Sequence, residues 1–185
     1  MNLVNNIKRL IKQVYRLSRN HKKHSEIVWS DLKRVYIDSN LKHGVYEKEK
    51  YIEALFEIQT GHGAAFYYLV YENYFHCRVR VLEDFPEELT TDVFVLAAHF
   101  NNLLNHGVVT VNVDERFAAY HIKQHQLISL LDNEQMLNQI NLHQETAFDI
   151  IMAFQRLVCE QEAPAIIIAD LLKQHQKGEQ RSEEE

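Results

Sequence analysis

Tyr74-Phe75-His76-Cys77-Arg78-Val79-Arg80-Val81-Leu82 is the stretch on which the reading of this chain turns. Phe75, Cys77, Val79 and Val81 alternate with Tyr74, His76, Arg78 and Arg80. Period two is the signature of a strand with one face in a core and the other polar. Upstream, residues 64–72 carry Phe66, Tyr67, Tyr68, Val70 and Tyr71, residues that favour strands. Glu72-Asn73 is a tight turn between the two. Residues 51–59 put Ile52, Ala54, Phe56 and Ile58 on one side and Glu53, Glu57 and Gln59 on the other. A helix with Tyr51, Leu55 and Ile58 on one face fits the same residues, but Thr60-Gly61-His62-Gly63 suits a hairpin and favours the strand. The three segments then form an antiparallel meander.

Downstream, Pro86 fits a first helical position, and Glu87 and Glu88 suit the positive end of the helix dipole. Leu89, Val93, Leu96, Phe100 and Leu103 form the seam of that helix, and Gly107 suits a left-handed stop. Val109, Val111 and Val113 alternate with Thr110 and Asn112, and Asp114-Glu115-Arg116 turns the chain. Residues 117–128 read as a returning strand, although Phe117, Tyr120, Gln124, Leu127 and Leu131 also have helical spacing. The rest is helical. A short helix covers about 133–140, and Asn141 with Gln144 resembles a capping box for the next. Pro164 kinks or restarts that helix, and a polar tail follows from Gln174, expected to be disordered. The expected fold is α+β: a five-strand antiparallel sheet covered by helices, with residues 1–24 as an arm, 25–174 as one domain and 175–185 as an acidic tail.

The 185 residues are 46% apolar and 25% charged, with 5 Gly and 2 Pro, a globular composition. The net charge of −6 is unevenly placed. Residues 1–24 hold Lys8, Arg9, Lys12, Arg16, Arg19, Lys22 and Lys23 and no acid, +7 in all. The remainder has 13 basic and 26 acidic residues, −13, which argues against nucleic-acid binding by the body. Leu3, Ile7, Leu10, Val14 and Leu17 recur at spacings of 4, 3, 4 and 3, so residues 2–19 read as a basic amphipathic helix. It lies on anionic lipid, pairs with another helix, or packs on its own acidic body. A second helix is expected over 26–41, after a polar linker. No secretory signal precedes it, and Cys77 and Cys159 read as small buried residues, so the cytoplasm is expected, with a peripheral place on a membrane through helix 2–19 as the variant.

The chemistry is sparse. His121 and His125 lie four apart, and Asp114 and Glu115 are near in sequence; that is the one metal or enzyme hypothesis, without the Cys-x-x-Cys or His-Glu-x-x-His that would support it. His76 and Cys77 point to opposite faces of a strand and cannot act as base and nucleophile. Glu83, Asp84, Glu87 and Glu88 gather at a helix start, where the dipole accounts for them. No cofactor is expected. Tyr74, His76, Arg78 and Arg80 line one strand face and either dock an acidic peptide or pair with sheet acids such as Glu53 and Glu57.

The run Phe75–Leu82, Phe85-Pro86-Glu87-Glu88-Leu89, the helix ending Leu103-Leu104-Asn105-His106-Gly107, Val109-Thr110-Val111-Asn112-Val113 and Glu162-Ala163-Pro164-Ala165-Ile166 together resemble the YbjN-like family of bacterial regulators. The resemblance spans roughly 26–172. That family is similar in fold to the chaperones of type III secretion. The resemblance implies a non-enzymatic domain, often dimeric, that binds a polypeptide, with no catalytic residues to carry over. The basic segment 1–24 and the helix near 133–140 depart from the family layout. The expected partner is therefore a protein or peptide, held by Tyr74, His76, Arg78 and Arg80 and by Leu3, Ile7, Leu10, Val14 and Leu17, in a homodimer.

Overall fold

A computed structural model of the chain describes residues 7, 11, 14, 15, 21–38, 42–59, 62–125 and 133–182. Its elements run α1 (His21–Asp38), β1 (His43–Tyr46), β2 (Tyr51–Gln59), β3 (His62–Val70), β4 (Tyr74–Leu82), a 3₁₀ turn (Glu87–Leu89), α2 (Thr90–Leu103), β5 (Val108–Asn112), β6 (Phe117–His125), α3 (Asn133–Cys159) and α4 (Pro164–Ser182). The strands form a six-stranded sheet in the order β1-β2-β3-β4-β6-β5. The fold is α+β, with six strands rather than five. The added strand, β1, pairs antiparallel with β2, Val45 opposite Ile52 and Tyr46 opposite Tyr51. Ile7, Ile11, Val14 and Tyr15 of the arm are helical.

The chain divides into two compact units, Met1–Arg78 with Ile122–Gln144 and Val79–His121 with Glu145–Glu185. In the first, β2 is the strand its alternation predicted. Ile52 and Ala54 are fully buried and stand opposite Tyr68 and Phe66 of β3, also fully buried. Pairing on both edges leaves no room for the helical alternative. Helix α1 covers this side with Val28, Trp29, Leu32, Val35 and Tyr36, and the Tyr36 ring lies 5.6 Å from that of Tyr68. Each such fully buried large side chain stabilises the fold by roughly 1.5–3 kcal/mol. Outside the core, Glu47 accepts from Trp29 Nε1 at 2.8 Å and from Lys33 Nζ at 2.7 Å, while Lys50 reaches Glu26 at 2.6 Å. These bonds hold α1 to the turn after β1.

Helix α1 begins at His21, not at 26, so residues 21–24 are helix rather than linker, and His24 is buried. Helix α3 is one helix where two were expected. Asn141 sits inside it, exposed, and Gln144 donates from Nε2 to the Tyr68 hydroxyl at 3.3 Å instead of capping. Burial pushes the Tyr68 phenol above its ordinary range. His143 is fully buried, edge-on to Phe66 and Tyr68.

In the second unit α2 buries Val93, Leu96, Ala97 and Phe100, and the Phe100 ring lies 6.3 Å from Phe154 of α3. The Asn101 amide clamps β5: Nδ2 donates to the Val109 carbonyl at 2.9 Å and Oδ1 accepts from the Val109 N–H at 2.7 Å. Strand β5 pairs with β6 from Val108–His121 to Asn112–Phe117. Pro164 restarts the chain as α4, which continues through Gln174–Ser182, the stretch read as a polar tail. Arg156 at the end of α3 binds Glu162 at 2.6 Å and Asp170 at 2.9 Å, fixing the joint. Cys159 ends α3 and is exposed, against the expectation that both cysteines are buried; Cys77 is buried.

Candidate polypeptide-binding face

Strand β4 sorts its residues as the alternation requires. Phe75, Cys77, Val79 and Val81 are at most 4% exposed. On the other side Tyr74 and Arg78 are half-buried, Arg80 is exposed and His76 is nearly covered. In the first unit that side is an aromatic surface. Tyr71 and Tyr74 pack at 4.7 Å, Tyr71 lies 6.2 Å from His76, and Lys123 stands 5.8 Å over Tyr74. Among the described residues Arg78 has no carboxylate partner.

The outward residues of β1, β2 and β3 extend the aromatic character. Register sets Tyr46 opposite Tyr51 and Glu53 opposite Tyr67. The Tyr46 and Tyr51 rings stack at 4.2 Å, and Tyr51 is 6.2 Å from Tyr67. Between them the Glu53 carboxylate accepts from the Tyr46 hydroxyl at 3.0 Å and the Tyr67 hydroxyl at 3.1 Å. That bond to a negative acceptor favours the neutral phenol and raises the Tyr46 pKa. Two residues along β2 and on the same face, Leu55 is 66% exposed. The cluster around Glu53 was missed because β1 was missed. Its signal was present: Val45-Tyr46, four charged turn residues, then Tyr51.

In the second unit the Arg80 guanidinium lies 4.5 Å over the Phe117 ring, with Glu83 at 3.7 Å and Glu115 at 4.0 Å. Such long, exposed pairs are worth little. Glu53, one of the acids expected to pair with this stripe, is held by tyrosines instead. Ile7 and Val14 of the arm are helical, and Leu3, Leu10 and Leu17 lie outside the described residues.

Among the described residues no catalytic constellation gathers. The thiol of Cys77 is pushed well up by burial, which keeps it protonated and inert. His121 and His125 belong to an extended strand, so four residues separate them by ~13 Å, too far to share one ion. His121 Nε2 lies 2.9 Å from the Thr110 hydroxyl. Among the described residues no group of three or more His, Cys, Asp or Glu is arranged to hold a metal.

No protein-family model matches the chain, and no curated protein matches it either. Solved structures do. The chain is similar to YbjN of E. coli, a candidate transcription regulator, with a TM-score of 0.55 and 11% identity over 72% of this chain and 92% of that one. It is also similar to the Yersinia pestis type III secretion chaperone SycH, solved in complex with a fragment of YscM2, at a TM-score of 0.43 and 11% identity over 65% and 97% of the chains. The chain has the fold of YbjN.

Proposed function

We propose that the protein is a non-enzymatic polypeptide-binding domain, a chaperone or regulatory adaptor that acts as a homodimer in the cytoplasm. The observation that carries this reading is the sheet face with Leu55 at its surface beside the Tyr46–Tyr51–Tyr67 cluster. Rigid tyrosines supply large contact area at low conformational-entropy cost. Leu55 is a large apolar side chain on a strand that spends its other face on the core, so its exposure offers area to a partner rather than to the fold. A partner segment lays its apolar side chains on Leu55 and the rings. Arg78, on the polar side of β4, sets its direction through its carboxylates.

A second copy has its own surface in this proposal. Phe94 and Val95 of α2 are each 46% exposed, and Ile166 and Leu172 of α4 are 55% and 40% exposed. Two cysteines without a disulfide suit a reducing compartment.

A photo-crosslinking residue placed at Leu55 tests the reading in the cells the protein comes from. One dominant protein adduct is expected from Leu55, and none of it from the same residue placed at the exposed Glu160. Equal adducts from both positions, or none from Leu55, contradict it.

A further inference from the structure

A second interaction surface lies at the other end of the sequence. Ile7, Ile11 and Val14 are helical and 50%, 63% and 60% exposed. Their spacing of four and three residues puts them on one side of a helix. Tyr15, next to Val14, is 52% exposed. The sequence sets Lys8, Arg9, Lys12, Arg16 and Arg19 between and after these positions. Lys22 and Lys23, at the start of α1, are exposed as well. Seven positive charges and no acid thus accompany an exposed stripe of branched apolar side chains.

Five occupants compete for such a surface, and charge, exposure and length separate them. The protein's own acidic body would satisfy the charge, but a body docked on the stripe would bury Ile7, Ile11 and Val14, and each is at least half exposed. A second copy of the arm would cover the stripe, but it brings +7 against +7. A nucleic acid would take the charge and leave the stripe in water. An unrelated acidic helix would need a sustained seam, and residues 3–17 span about two heptads where about three or more are needed. An anionic bilayer takes both halves at once and demands neither register nor length. The apolar stripe enters the boundary between headgroups and acyl chains, the Lys and Arg side chains reach lipid phosphates, and a tyrosine sits at headgroup level. Among the described residues no helix is long and apolar enough to cross a membrane.

We infer that the N-terminal segment is a reversible anchor for anionic phospholipid surfaces, separate from the sheet face and able to carry the domain to a membrane. Neither surface needs the other, and each fails or stands by its own test.

The test is co-sedimentation of the full chain with vesicles of phosphatidylcholine alone and with about 30% phosphatidylglycerol. Point variants serve better than truncation at residue 24, because α1 already includes His21–His24 and His24 is buried. Ile11→Asp with Val14→Asp removes the stripe, and Lys12→Glu with Arg16→Glu reverses local charge; Ile11 and Val14 are exposed, so the circular dichroism and Tm of the first variant should match the parent. The parent is expected to bind the anionic vesicles at least tenfold more tightly than the neutral ones. Each double variant should lose at least tenfold, and so should the parent between 0.05 and 0.5 M salt, because screening shortens the reach of the charges. Equal binding to neutral vesicles, no binding to anionic ones, or double variants that bind like the parent overturn the inference. A concentration-dependent mass doubling that Ile11→Asp with Val14→Asp abolishes would assign the stripe to a second copy and overturn it too.

Discussion

Gly107 shows how much one position carries. It takes φ +84°, and a Cβ there would stand 2.6 Å from the His121 carbonyl oxygen and 2.7 Å from the Tyr120 ring. The same Tyr120 donates its hydroxyl to the His106 carbonyl at 2.9 Å, so neither neighbour has freedom to retreat. Gly107→Ala is expected to destabilise the protein by about 2–4 kcal/mol, from the left-handed backbone and the clash together. Chemical denaturation measures it, and a loss below about 1 kcal/mol would mean that the β5 entry relaxes freely. The left-handed glycine was legible in the sequence; its task was not. Helix α2 ends at Leu103 with Leu104 extended, so Gly107 shapes the approach to β5 and does not cap the helix. Cys159 was misread for a related reason. An apolar type in a helical stretch looks buried, but which residue ends the helix decides whether it reaches solvent.

At the scale of elements, alternation proved a safer guide than capping patterns. Strands β2 and β4 follow their period-two residues, and the helical alternatives for 51–59 and for the described part of 117–128 fall because cross-strand partners occupy both. Strand β1 escaped notice because His43–Tyr46 is too short to show a period. The capping box at Asn141 failed because side-chain hydrogen bonding to a distant tyrosine competes with local capping. The joint between α3 and α4 shows what such polar contacts do. Arg156 holds Glu162 and Asp170 together, and the hydrogen bond from Arg156, helped by Lys173, lowers the Asp170 pKa. A depressed carboxyl contributes stability above its unfolded value of about 4 and loses it as pH falls through the folded value. Arg156→Met is therefore expected to lower Tm at pH 7, and the gap from the parent should narrow below about pH 4. A gap that stays constant under acid would show that Arg156 acts by packing alone.

Across the whole molecule, an α+β fold with an antiparallel sheet was readable from the order of strand-like and helix-like segments. The strand order was not. Sequence places β5 before β6, yet β6 is the neighbour of β4 and β5 forms the edge. Local patterns fix which face of a strand is apolar; they do not say which strand it meets. The binding face was legible to the same degree. The β4 alternation gave Tyr74, His76, Arg78 and Arg80, while the tyrosines around Glu53 depend on the registers of β2 with β1 and β3. The central claim is that this face holds a polypeptide. Its most direct test is selection of a displayed random-peptide library on the full chain, followed by calorimetry of an enriched peptide with the parent, Leu55→Asp and the exposed Glu160→Lys. The account predicts a peptide with apolar and acidic residues whose affinity falls at least about tenfold with Leu55→Asp and holds with Glu160→Lys. Enrichment of no peptide, or a peptide indifferent to Leu55→Asp, would contradict it.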